Sequence, residues 1–108
     1  MIVHGTEGHL IPDLLAEEGA GVITGPCLGD RSKPELVGQT LDNPALLHRA
    51  GVKIAICTDH PETPIQYLPL CAAMAVRGGL DPEEALAAIT SSAAEIAGLS
   101  KRVGTLTP

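Results

Sequence analysis

Asp59 and His60 stand side by side directly after an apolar, β-branched run, in the stretch VKIAICTDHP from Val52 to Pro61. Six of the first seven residues of that stretch suit burial, so it reads as an interior strand whose polar groups appear only at its carboxyl end. In parallel α/β sheets, loops and helix N-termini converge on the carboxyl ends of the strands and gather ligand and catalytic side chains there. A carboxylate beside an imidazole at that point is the chain's strongest case for chemistry. The alternative is that Asp59 caps a turn before Pro61 and His60 is merely exposed.

The same theme occurs at the start of the chain. Met1 to Val3 is a short apolar run that delivers His4, followed by the turn residues Gly5-Thr6-Glu7-Gly8. A lone histidine there could equally be exposed and idle. A third short run, Gly21 to Thr24, closes at Gly25-Pro26-Cys27. Its glycines flank the strand instead of opening a helix after it, so they do not make a dinucleotide loop. Leu28 to Asp42, with Asp30, Arg31, Lys33 and Gln39, has no periodicity. About fifteen residues is long for a connection, so this is either a functional loop or a mobile one.

Helices separate these runs. Leu10, Leu14 and Leu15 have helical spacing within His9 to Glu18, with Pro12 in the first turn and Gly19 at the end. Asn43-Pro44 reads as N-cap and first helical residue, and His48 falls in the last turn, where the helix dipole favours an imidazolium. After the proline-rich turn at Pro61 to Pro64, an apolar helix is expected from about Gln66 to Arg77. Asp81-Pro82-Glu83-Glu84 is another helix start, with Ala85, Leu86, Ile89, Ala93 and Ile96 as its core stripe. Thr90-Ser91-Ser92 divides that segment, and Val103 to Leu106 suggests the first half of a further strand. The rhythm of strand and helix implies an α/β fold of parallel β/α units.

Composition narrows the function. The 108 residues suit one domain, with 44% hydrophobic and 19% charged residues. Tyr67 is the only aromatic residue, and the net charge is -6. Base stacking and phosphate neutralisation are both poorly served, which argues against nucleic acid as a partner. No run is long enough to cross a membrane. Cys27, Cys57 and Cys71 are an odd set with no paired short spacing, so structural thiols in a reducing cytoplasm are expected.

Several segments, in order and spacing, resemble the carboxyl-terminal part of the metal-dependent amidohydrolase superfamily, nearest to imidazolonepropionase-related amidohydrolases. They are the apolar run ending in His4-Gly5, the helix with LLAEEG, then GVITGP and NPALLHRAGVKIAICTDHP, and finally GLDPEEALAAITSSAAEIAGL with VGTLTP. The resemblance implies that residues 1–108 are a partial barrel domain. It comprises the last three strands of a TIM-type (β/α)8 barrel plus C-terminal helices, with His4, Thr24 and Asp59 ending the sixth, seventh and eighth strands.

It further implies hydrolysis of C–N bonds other than peptide bonds, in a cyclic amide or related small molecule, by water activated on a divalent metal, zinc or iron. Asp59 would be metal ligand and proton shuttle. His4 would bind metal or polarise the substrate carbonyl, and His60 would suit substrate contact. The family's first-strand His-x-His pair, fourth-strand ligand and fifth-strand histidine have no counterpart here. The chain thus offers two donors where a catalytic zinc site usually takes three protein ligands.

Two structural expectations follow. Along the strand before Asp59, Lys53, Ala55 and Cys57 share its face, while Ile54, Ile56 and Thr58 share the other. The strands ending at His4 and Asp59 each lack one neighbour in this fragment. Those open edges suggest a homo-oligomer or an exchange of elements between copies, and the alternative to the hydrolase reading is a catalytically incompetent truncated barrel segment that self-associates.

Overall fold

Val22 has no exposed surface, because it lies on a strand paired on both sides and its side chain packs into the hydrophobic core. The computed structural model describes residues 1–106, and in it three parallel strands lie in the order β1-β2-β3. They are β1 (Ile2–Val3), β2 (Val22–Thr24) and β3 (Ile54–Ile56). Ile2 and Val3 pair with Val22 and Ile23, which pair in turn with Ile54 and Ala55. Neighbours in sequence are neighbours in space, as for consecutive strands of a barrel.

The connections are helical. A 3-10 turn (Gly8–Leu10) and α1 (Pro12–Glu17) join β1 to β2, and a 3-10 turn (Pro34–Leu36) and α2 (Asn43–Arg49) join β2 to β3. A 3-10 turn (Ile65–Tyr67) then leads into α3 (Leu68–Arg77), α4 (Pro82–Ala88) and α5 (Ser91–Ile96). Pro12 opens α1, and Gly19 past its end takes the left-handed φ of 61° that a side chain would resist. Asp81 caps α4 by accepting the Glu83 N–H at 2.8 Å. Thr90 does divide α4 from α5.

With no Phe or Trp, the core is aliphatic. Val22, Ile54 and Ile56 of the sheet pack with Ala45 and Leu47 of α2, Cys71, Ala72 and Ala75 of α3, and Ala85 and Ala88 of α4. Ile54 and Ile56 belong to this core and Ala55, although buried, does not, so β3 alternates in the sense expected. Beneath the sheet, α5 meets the amino-terminal ends of the strands. A Cβ on Gly21 would lie 2.9 Å from Ile96, and Lys53 Nζ reaches Glu95 at 2.7 Å.

Three local expectations are corrected. Asn43 does not cap α2: Asp42 holds the N-cap position, Asn43 is the first helical residue, and its amide is bound to His9 and Gly5 instead. Leu86 is 60% exposed, since Ala85 and Ala88 form the face that packs inward and Leu86 lies about 100° around the helix from Ala85. Val103 to Leu106 is not a strand in the described residues. It folds back on α5, where Gly104 lies so close to Ala94 that a Cβ would be 2.7 Å away, and no strand edge adjoins it.

Candidate functional site

His4 and Asp59 are the two non-glycine residues with positive φ among the described residues, at 59° and 52°. Each follows one of the outer strands at its carboxyl end, with β2 between them. The pairing extends past the strand ends, through Gly5 N–H to Ile23 O at 3.0 Å and Cys57 N–H to Thr24 O at 2.9 Å. This brings the two turns to the same level. The left-handed backbone then leans the side chains together, so that His4 Nε2 lies 3.2 Å from Asp59 Oδ1.

Asp59 does take part in a turn, as the plainer reading had it, but through its main chain, whose carbonyl accepts Glu62 N–H at 2.8 Å. Its carboxylate is free to face His4. Thr58 is buried beside it, and its carbonyl accepts Thr63 N–H at 3.2 Å. Thr24 is buried and its hydroxyl donates to Ala55 O at 3.3 Å, which ties β2 to β3. His60 is exposed and lies outside the wall of the cleft that His4 and Asp59 share.

That cleft has a volume of about 130 Å³ and is lined by His4, Thr6, Pro26, Asp59, Glu62 and the loop residues Gly29, Asp30, Ser32, Lys33, Glu35 and Leu36. The long connection after β2 is therefore a wall of the site. Hydrogen bonds hold it in place. Thr6 Oγ1 donates to Glu35 O at 3.0 Å, Gly38 N–H to Glu7 Oε1 at 2.7 Å, and the Gln39 amide to Pro26 O. Asp30 accepts from the Ser32 N–H and hydroxyl, which holds its carboxyl below the usual carboxylate range.

Asn43 is the residue that sequence reasoning misplaced. Its Oδ1 accepts His9 N–H at 2.8 Å and lies 3.1 Å from His9 Nδ1, while its Nδ2 donates to Gly5 O at 2.8 Å. Asn followed by Pro satisfied a helix-cap reading so fully that no local signal pointed elsewhere.

The thiols are all free. Cys71 is buried and Cys57 half-buried. Burial, with the nearby Cys71 thiol adding to it, pushes the Cys27 thiol up to about 12. Burial likewise raises Cys57.

Among the described residues, no three of His, Cys, Asp and Glu gather as a metal-holding group. The His4–Asp59 pair nonetheless has a spacing that suits two ligands of one cation. Bonds of about 2.1 Å to a shared tetrahedral ion set neighbouring donors about 3.4 Å apart, and Nε2 and Oδ1 are 3.2 Å apart. The pair fits as part of a ligand set, with any third donor to come from elsewhere.

The amidohydrolase family model matches residues 1–108. The fold is similar to the crystal structure of an amidohydrolase from Thermotoga maritima MSB8, with 40% identity and a TM-score of 0.95. The match covers 99% of this chain and 28% of that one, so the chain spans little more than a quarter of that protein's length. No curated protein matches.

Proposed function

Because the chain belongs to the amidohydrolase family, we propose that it carries the closing part of the active site of a hydrolase acting on C–N bonds other than peptide bonds. The observation that supports this most is the convergence of His4 and Asp59 from the two outer strands onto one open cleft. Their side chains are 49% and 40% exposed, so the contact is accessible to a substrate.

In this reading Asp59 takes a proton from the attacking water and returns it to the departing nitrogen, which its unblocked carboxylate and short reach to the cleft allow. His4 either holds the cation or polarises the carbonyl under attack, and its position across the cleft from the loop suits both. His60 meets the substrate at the rim. A divalent cation, zinc or iron, would be held by His4 and Asp59 with further donors from other polypeptide, and would supply a water acidified to a pKa of about 7. The finer assignment, an imidazolonepropionase-related enzyme opening a cyclic amide in the cytoplasm, rests on the sequence resemblance and the three free cysteines.

Calorimetric titration of the 108-residue chain with zinc tests the site. Because this chain supplies two of the donors, weak binding is expected, and both His4→Gln and Asp59→Asn should reduce it about tenfold or more by removing one of the two. Affinity unchanged in both variants would exclude the pair as ligands.

A second reading is favoured by the open side of β1. Met1, Val3, Leu10 and Leu14 are 70%, 51%, 65% and 53% exposed, apolar side chains that another copy could cover. In this reading the chain is a self-associating homo-oligomer that is catalytically incompetent by itself.

A further inference from the structure

We infer that Asn43 is a positioning residue for His4, an assignment that rests on reading His4 and Asp59 as the working pair. His4 sits in a left-handed conformation that costs an L-residue about 1–2 kcal/mol, and such strain persists only where the surroundings over-determine it. The strand before it supplies little restraint, since β1 has two residues and lies at the edge of the sheet. Several hydrogen bonds hold the turn that follows. Main-chain groups supply Gly5 N–H to Ile23 O at 3.0 Å, Thr6 N–H to His4 O at 2.7 Å and a longer Gly8 N–H to Gly5 O at 3.4 Å, and the Thr6 hydroxyl donates to Glu35 O at 3.0 Å. The shorter of the two bonds to Gly5 O comes from Asn43 Nδ2–H at 2.8 Å, and it fixes the peptide plane one residue beyond His4.

The same amide accepts His9 N–H at 2.8 Å. One rigid planar group therefore spans Gly5 to His9 and fastens both to α2, whose Ala45 and Leu47 are 1% and 0% exposed in the core. Asn43 itself is 3% exposed. Burying a primary amide is costly unless its donors and acceptors are met, and here they are met by the turn that presents His4. A group fixing only the packing of α2 would have no need to reach Gly5. The length of the tie matters as well: an aspartate at this place keeps the acceptor for His9 but sets oxygen against the Gly5 carbonyl.

The test reads the coupling between His4 and Asp59 directly. In the intact chain, the His4 ring resonances are followed by NMR with and without Asp59→Asn, in the parent and in Asn43→Ser and Asn43→Asp backgrounds. The resonance change caused by Asp59→Asn is expected to fall about twofold or more in both Asn43 backgrounds, the non-additivity that marks a shared structural unit. The His48 ring signals should stay in place. Folded Asn43 variants in which His4 responds to Asp59→Asn as in the parent would overturn the assignment. Amide exchange on the parent gives a second reading that needs no variant. Protected Thr6 and His9 amides support a held turn, and exchange of both at open-chain rates refutes it. None of these readings requires zinc or turnover, so failure of the hydrolase reading and failure of the Asn43 assignment are distinguishable.

Discussion

The His4–Asp59 contact is half exposed on both sides, and exposed pairs of this kind contribute roughly 0–1 kcal/mol to stability. A left-handed backbone at both residues, at about 1–2 kcal/mol each, costs more than the contact returns. The arrangement is better understood as a device for presenting two side chains to a cleft than as a brace for the sheet. Cys27 has the opposite character. Its thiol is lifted from 9.0 to about 12 by burial, with Cys71 adding to the effect. A folded-state pKa above the unfolded one means that the proton is held more tightly in the folded chain. The contribution is therefore fully present below about pH 9 and is lost as pH rises from 9 toward 12. Urea midpoints measured across that range should show the parent falling relative to Cys27→Ala, and parallel curves for the two would contradict the assignment.

Helix α4 shows how an element obtains its stability at specific positions. Its amino end is secured by the Asp81 carboxylate on Glu83 N–H, with Pro82 preset at the first helical position. Its inner face is two alanines with 2% and 0% exposure, which lets the helix approach α3 and β3 closely. Its largest aliphatic side chain, Leu86, faces out. Chemical denaturation should thus rank two substitutions against intuition. Asp81→Ala, on the surface, is expected to lose about 1 kcal/mol through the cap. Leu86→Gln, at an apolar residue of good helical phase, should change stability by no more than about 0.5 kcal/mol. A loss at Leu86 larger than that at Asp81 would mean that its outward face is covered in solution.

Among the described residues, the sheet ends on one side at β1, where Ile2 and Val3 are 40% and 51% exposed. Covering several hundred Å² of such surface would be worth several kcal/mol at about 25 cal/mol per Å², before the cost of association. The net charge of -6 opposes this only weakly at physiological salt, where screening acts within about 8 Å. Sedimentation velocity at micromolar concentration is expected to show a dimer or larger species. The double variant Val3→Thr, Leu14→Lys should shift it toward monomer, with added salt having little effect. A compact monomer in the parent, with β1 amides protected from exchange, would refute self-association through this edge.

Much of this was legible one residue at a time. The alternation that sends Ile54 and Ile56 into the helix-covered core and the equally buried Ala55 to the other face, the prolines opening α1 and α4, the Asp81 cap and the break at Thr90 all depend on interactions within a few residues, which local pattern records directly. The order of apolar runs ending in His4, Thr24 and Asp59 was enough to indicate parallel β/α units, and the quoted segments to indicate the family. What only the tertiary structure decided involves partners distant in the chain. The register between strands carries Asp59, 55 positions after His4, to within 3.2 Å of it. Strand alternation could not have supplied that, because β3 ends at Ile56 and a left-handed turn sets the aim of the carboxylate. The loop after β2 became a wall of the cleft through bonds to Thr6 and Glu7, residues with no local claim on it. Asn43 lost its expected role for the same reason. A cap competes with whatever else an amide can reach, and folding placed Gly5 and His9 within that reach.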